Sequence, residues 1–276
     1  DNLLDANIVT ASGEVLRASA DENPDLFWAI RGGGGNFGVA TEFEFRLHPF
    51  KSTIYGGNAL FKLDTEFLRL YGELAATLPN EASVEPQIGT DADVNSTVNL
   101  QLCYCGDLAM GEKVMAPVLK IAKPLSADIG AMEDSVFQTG AEVALGHGKQ
   151  YYLKSGLVTG IAPERAVVIV DHMNRDKRVS SWMQHPGGAS TAVAPDAMAY
   201  SHRSAALNLG ILVVSEDPAT MEDSIARARA FYKDAEPYMH GFYTNLNEDT
   251  DSKTWSNYGE NYSRLVAAKD KYDPGN

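Results

Sequence analysis

From position 39 onward, Val39, Thr41, Phe43, Phe45 and Leu47 alternate with Ala40, Glu42, Glu44 and Arg46, a period of two that predicts a strand. Just upstream, Asn23-Pro24-Asp25-Leu26-Phe27-Trp28-Ala29-Ile30 reads as a short helix, with Asn23 as N-cap and Pro24 at the first helical position. Residues 1–50 therefore run strand, turn at Ser12-Gly13, strand, short helix, glycine loop, strand. Residues 51–240 have another rhythm. Extended stretches near 53–62, 84–90, 95–105, 151–158 and 205–215 alternate with helical ones near 64–77, 108–122, 162–178 and 217–236. The last of these opens at Asp217-Pro218 and carries Met221, Ile225, Ala228 and Phe231 along one face. A closing helix from about Tyr258 to Lys271 is stopped by Asp273-Pro274. Strand pairs separated by helices predict an α+β fold, with an antiparallel sheet covered by helices on one side.

The loop between the short helix and its following strand contains Gly33-Gly34-Gly35-Asn36-Phe37-Gly38, which satisfies the G-x-G-x-x-G pattern. A dinucleotide fingerprint needs that pattern after a strand and at the start of a helix, where the helix N-terminus receives the pyrophosphate. Here the order is helix, glycines, strand, so the Rossmann reading fails. Glycines still permit positive φ and let backbone approach a ligand without interference from Cβ. Oriented N–H groups in such a loop can meet a diphosphate.

In this order the loop resembles the flavin-linked oxidases of the berberine bridge enzyme type, within the vanillyl-alcohol oxidase (PCMH-type) superfamily. The parallel runs from Asp1-Asn2-Leu3-Leu4 through Ile8-Val9-Thr10-Ala11-Ser12-Gly13 and Asp25 to Gly38, and on to Phe43-Glu44-Phe45-Arg46-Leu47. It resumes at His185-Pro186-Gly187-Gly188-Ala189 and Tyr200-Ser201-His202-Arg203. It closes with Tyr243-Thr244-Asn245, Trp255 to Leu265 and Lys269 to Asn276. The resemblance implies three parts: 1–50 as the C-terminal part of a PCMH-type FAD-binding domain, 51–240 as a substrate-binding domain, and 241–276 as a segment returning to the FAD domain. The family's N-terminal subdomain, with its diphosphate loop and its covalent histidine, has no counterpart in these residues, so the chain is expected to be a fragment or a shortened relative.

Composition narrows the partners. A net charge of −14 argues against nucleic acid and anionic membrane, both of which need basic patches. No run approaches the roughly 18 apolar residues of a membrane span. The two cysteines stand in Cys103-Tyr104-Cys105; on a strand they share a face, are poorly placed to bond each other, and are expected to be buried thiols. One C-x-C with no second Cys/His pair is not a zinc site, and His48, His147, His172, His185 and His240 show no ligand spacing, so no metal is expected. No G-x-S-x-G elbow supports a serine hydrolase.

The resemblance assigns the remaining chemistry. FAD is the implied cofactor, with Asn36, Phe37, Gly38 and Val39 toward its adenosine or diphosphate side and Asn245 toward its ring. Tyr243 is the candidate base for a substrate alcohol or amine while hydride passes to the flavin; the family's second tyrosine is replaced by Leu246, and Tyr243 as a packing residue stands beside that reading. A phenol ionises near pH 10 in water, so a tyrosine base needs surroundings that favour the phenolate. His202 and Arg203 either line the substrate pocket or form an internal hydrogen bond and ion pair, and Lys154 either reaches a carboxylate or faces that pocket. The expected function is oxidation of a small alcohol, amine or sugar, with molecular oxygen as electron acceptor. The alternative is a non-catalytic fragment or binding module that keeps the substrate domain, cannot hold flavin alone, and associates through an exposed face or with the missing N-terminal segment.

Overall fold

The computed structural model describes residues 1–141, 145–185, 187–204, 207–248 and 254–275. The first elements in chain order are β1 (Leu3–Val9), β2 (Val15–Ser19), α1 (Pro24–Ile30), β3 (Val39–Phe45), β4 (Thr53–Lys62) and α2 (Thr65–Ala75). They are followed by β5 (Ala82–Thr90), β6 (Ser96–Tyr104), α3 (Leu108–Met115), β7 (Ser126–Glu133) and α4 (Asp134–Gln138). The rest are β8 (Gln150–Val158), α5 (Pro163–Arg175), β9 (Val179–Gln184), β10 (Leu207–Ser215), α6 (Pro218–Ala235) and α7 (Tyr262–Tyr272). The chain forms two compact units: 1–50 with 189–204 and 251–276, and 51–188 with 205–250. Against the expected parts, 189–204 groups with the first unit and 241–250 with the second.

The first unit is a three-stranded antiparallel sheet in the order β2-β1-β3. Ala6, Ile8 and Ala18 from the sheet, Leu26, Phe27 and Trp28 from α1, Phe37 from the glycine loop and Leu265, Ala268 and Tyr272 from α7 form its core. Polar groups fix the helices: Asp25 accepts from both the Tyr272 hydroxyl and the Lys271 ammonium at 2.7 Å, and the Trp28 indole N–H donates to the Asp196 carbonyl at 2.8 Å. The expected cap is different. Asn23 sits in the left-handed region and its amide donates to the Arg17 carbonyl at 2.8 Å, so its side chain ties the turn back to β2 instead of capping α1. The alternating pattern of β3 also meets an unexpected outcome. As an edge strand it is exposed on both faces, leaving Val39, Phe43 and Phe45 uncovered.

The second unit is a seven-stranded antiparallel sheet in the order β7-β4-β6-β5-β9-β10-β8. Residues alternate cleanly along β6: Val98, Leu100, Leu102 and Tyr104 enter the core, and Asn99, Gln101 and Cys103 face the other way. Helix α2 shows why the core forms. Asp64 caps it by accepting from the Phe67 N–H at 2.7 Å, and Phe67, Leu68, Tyr71 and Ala75 fall on one buried face. Full burial of each larger side chain contributes roughly 1.5–3 kcal/mol before entropy is subtracted. The Tyr71 hydroxyl meets its own burial cost by donating to the Val84 carbonyl at 2.9 Å. At the edge β8, the segment 240–248 covers the backbone: Leu157 N–H donates to Gly241, His240 N–H to Leu157, and Glu248 N–H to Leu153, at 2.8–3.1 Å.

The cysteines are not the buried pair expected. Strand β6 ends at Tyr104, so Cys103 is half-buried on the face away from the core and Cys105 lies beyond the strand, exposed. Their sulfurs are 3.6 Å apart.

Candidate functional site

In the first unit, α1 ends at Ile30 and the chain turns through the glycine loop before β3. Gly38 has φ +140, and a Cβ there would lie 2.3 Å from the Val9 carbonyl oxygen, so the approach to β1 requires glycine. Gly34 and Gly35, by contrast, are exposed, with no atom within 4 Å of a Cβ at Gly35. Phe37 is an anchor: the residue is 1 % exposed and belongs to the core, so it fixes the loop and offers a ligand no surface of its own. The Asn36 amide donates to the Gly33 carbonyl at 2.7 Å and its own carbonyl accepts from the Lys269 ammonium at 2.9 Å, which holds the loop closed. Val39 is exposed at the start of β3.

The segment Ala199–Arg203 lies directly on this loop, a juxtaposition with no local signal in the sequence. Ala199 N–H donates to the Trp28 carbonyl at 3.2 Å and Tyr200 N–H to the Arg31 carbonyl at 3.1 Å, and Gly32 leaves room for the Tyr200 backbone. Arg203 is buried and forms a bidentate pair with the Asp1 carboxylate, both contacts 2.9 Å, with its guanidinium over the Tyr200 ring. Its Nε has no partner. Arg31 lies over the Phe27 ring and Arg264 over the Trp28 ring, each at 4.0 Å. Burial, and then the positive charges of Arg203 and Arg264, pull the Arg31 guanidinium below an arginine's ordinary value. Arg31, whose charge its cationic neighbours disfavour, stands beside the exposed glycines of the loop, an arrangement suited to an anion.

His202, also expected at the pocket, shares a hydrogen bond with the Asn257 amide oxygen at 3.2 Å and stands edge-on to Tyr200. Burial lowers its pKa, and the Asn257 contacts offset only part of this. The folded state thus prefers the neutral ring, while the unfolded chain binds a proton below about pH 6.5. Stability from this group is present above that pH and is lost as pH falls through it. Melting temperature should fall between about pH 7.5 and 5.5, and His202→Asn should flatten the slope. His185, whose burial shifts it the same way, keeps part of the slope in the variant. An unchanged pH dependence in the variant would remove His202 from this account.

In the second unit the Tyr243-Thr244-Asn245 segment lies along the edge of β8. The Asn245 amide donates to the Tyr243 phenol oxygen at 3.0 Å, and Tyr243 is 39 % exposed. Asn247 pins the segment: its Oδ1 accepts from the Ser155 N–H at 3.1 Å and its amide donates to the Tyr243 carbonyl at 2.9 Å. Lys154, next to Ser155, points the other way. It pairs across the sheet with Ile211, which is in the helix-packed core, and its buried ammonium lies 4.5 Å from the Tyr232 ring of α6. The structure therefore places Lys154 beneath the helices and Tyr243 with Asn245 at the strand edge.

The sheet face opposite the helix-packed core carries polar residues that no motif in the sequence marks as a site. Three carboxamide pairs cross it: Asn99 donates to Asn58 at 2.9 Å, Gln87 to Gln101 at 3.3 Å, and Asn208 to Gln184 at 3.0 Å. The Trp182 indole lies over Gly210, filling the space a Cβ would take. Asn208 is 4 % exposed, and its Oδ1 is buried without a hydrogen-bond partner. An orphaned buried acceptor is rare enough to call for a donor. Glu85 lies on the same face; burial raises its pKa, with a partial offset from the His185 N–H it accepts. The signal was available in the alternation Val98-Asn99-Leu100-Gln101-Leu102, which marks a polar face. Among the described residues no group of three or more His, Cys, Asp or Glu side chains is placed to hold a metal ion. No helix among them is long and apolar enough to cross a membrane.

The family described as Berberine and berberine like matches residues 243–276. A FAD-linked oxidoreductase of Dictyostelium discoideum is 27% identical across 100% of this chain and 61% of its own length. The (R)-6-hydroxynicotine oxidase of Paenarthrobacter nicotinovorans is 33% identical over 52% of this chain and 32% of its own. The glucooligosaccharide oxidase of Sarocladium strictum is 26% identical over 99% of this chain and 61% of its own. The solved structure of the Physcomitrella patens protein named BBE-like 1 superposes with a TM-score of 0.86 at 20% identity, over 100% of this chain and 63% of that one. The chain thus spans about three fifths of the length of the full-coverage relatives, and it shares the fold of that solved structure.

Proposed function

We propose that this chain, which has the fold and the C-terminal segment of the berberine bridge enzyme-like flavoproteins, is part of a FAD-dependent oxidase of a small alcohol, amine or sugar. The observation that carries the reading is the Tyr243–Asn245 pair, braced on the edge of β8 within the segment that matches the family. Tyr243 is the base in this reading: its phenol oxygen takes the proton from the substrate hydroxyl or amine, and Asn245 keeps that oxygen in place. FAD, when bound, supplies a ring that accepts two electrons as hydride. Molecular oxygen is the proposed final acceptor. The residues of the first unit fit an anionic cofactor: Gly34, Gly35, Asn36 and Val39 are exposed along the loop that Phe37 and Gly38 anchor, beside Arg31, Arg203 and Arg264. The amide pairs and Trp182 favour a neutral, hydroxyl-bearing substrate over a charged one, since carboxamides both donate to and accept from hydroxyl groups.

A second reading rests on a different observation. The apolar side chains of β3 stand uncovered, which suits a binding module that associates through this edge and holds no flavin alone. The visible spectrum decides between the two, recorded on this polypeptide and on the protein at its full encoded length. Flavin bands in the longer form with substrate-dependent bleaching are the expected result. A longer form that is colourless even after incubation with FAD overturns the oxidase reading and leaves the binding module.

A further inference from the structure

Neither reading uses the thiols at the end of β6. Strand β6 is interior to the sheet, so the backbone around Cys103 is held from both sides, paired with Gly56 of β4 and Ser83 of β5. Just past the strand, Cys105 N–H donates to the Glu81 carbonyl at 2.9 Å, which fixes the second thiol as well. This anchored backbone brings the sulfurs within 3.6 Å, contact distance for unbonded sulfurs, and leaves both free. The pair is also asymmetric, with one thiol at the surface and its partner half-sheltered behind it.

We propose that Cys103 and Cys105 form a peroxide-reactive dithiol that closes to a disulfide within the chain. The oxidant is hydrogen peroxide or a small organic hydroperoxide. The exposed Cys105 sulfur attacks the peroxide as thiolate; an S–O bond forms, the O–O bond breaks, and the departing oxygen leaves as water (or alcohol) after taking a proton. Cys103 then attacks the sulfenic sulfur, the S–S bond forms, and the hydroxyl leaves as a second molecule of water. The two thiols lose two electrons and two protons in all, and one peroxide is reduced. Burial, with the Cys105 contact, pushes the Cys103 thiol up to about 12. That keeps Cys103 protonated at neutral pH, assigns the first attack to Cys105, and makes closure faster as pH rises. Proximity compensates for the low thiolate fraction, since the second attack is intramolecular.

The test uses this polypeptide, treated with equimolar hydrogen peroxide and analysed by intact mass and by thiol counting after denaturation. The expected result is a loss of about 2 Da and of both titratable thiols, reversed by dithiothreitol, with the cross-link mapped to one peptide. Cys103→Ser should instead trap a sulfenic acid on Cys105, a gain of about 16 Da that dimedone captures. Cys105→Ser should leave Cys103 unreacted. Persistence of both thiols, stepwise oxygen addition at Cys105 with Cys103 still alkylatable, or cross-linking between chains would each overturn the proposal. Both variants remove one sulfur outside the core, so a folding failure is read separately by circular dichroism.

Discussion

In the proposed oxidase, replacing Tyr243 by phenylalanine is expected to lower kcat of the flavin-loaded protein by about 100- to 1000-fold, the range for loss of a general base. The change removes one oxygen atom. Tyr243 is partly exposed, and water can take the place of the lost oxygen as acceptor for the Asn245 amide. Its cost to stability should therefore stay below about 1 kcal/mol. Flavin content and melting temperature should match the wild type. Because a base acts in the transition state, kcat and kcat/KM should fall together, with KM little changed. Asn245→Ala provides a graded comparison: it leaves the phenol but frees its position, so the loss should be nearer tenfold. Undiminished kcat in Tyr243→Phe would return Tyr243 to the packing role and remove the observation on which the oxidase mechanism stands.

How far the sequence anticipated this arrangement depends on whether a feature is local. Strands β4, β5, β6, β8 and β10 and helices α2, α5 and α6 fall where periodicity placed them, because each has a capping or alternating pattern of its own. Strands β7 and β9 were not expected. Ser126–Glu133 is rich in alanine, glycine and aspartate, residues with weak strand preference, and its pairing with β4 supplies what propensity lacks. Val179–Gln184 lies just past the helical stretch expected near 162–178, and its pairing with β10 and β5 makes it a strand. The site divides the same way. The glycine loop and the Tyr243 segment are visible as contiguous motifs. The seating of Tyr200 on Arg31, the Arg203–Asp1 pair and the placing of Asn208 beside Gln184 join positions far apart in sequence, and nothing near either partner announces them. Lys154 shows the limit within a strand. A one-residue difference in facing puts it under α6 and its neighbour Ser155 beside Asn247, and only the register distinguishes these.

The glycine loop yields a prediction in which two similar substitutions have opposite outcomes. Gly38→Ala should destabilise the first unit by about 3 kcal/mol, combining a disfavoured φ with a steric overlap. The new methyl would lie 2.3 Å from the Val9 carbonyl oxygen and 2.9 Å from Ile8 Cγ2, both on β1. Strand β1 cannot yield cheaply, because β2 and β3 hydrogen-bond it on either side at these residues. The overlap is relieved when β3 detaches from Val39 onward, which also exposes more of the β1 edge. Gly35→Ala, three residues earlier, meets nothing within 4 Å and needs no positive φ, so its effect should lie within about 0.5 kcal/mol. Urea unfolding with hydrogen exchange along β1 and β3 measures the difference where it arises. Equal stability in the two variants would mean that β1 accommodates a side chain at Gly38, and the close approach would then lose its structural role. The same pair separates stability from ligand contact: if the open loop backbone meets the flavin, Gly35→Ala should weaken flavin retention in the full-length protein while leaving the urea midpoint in place.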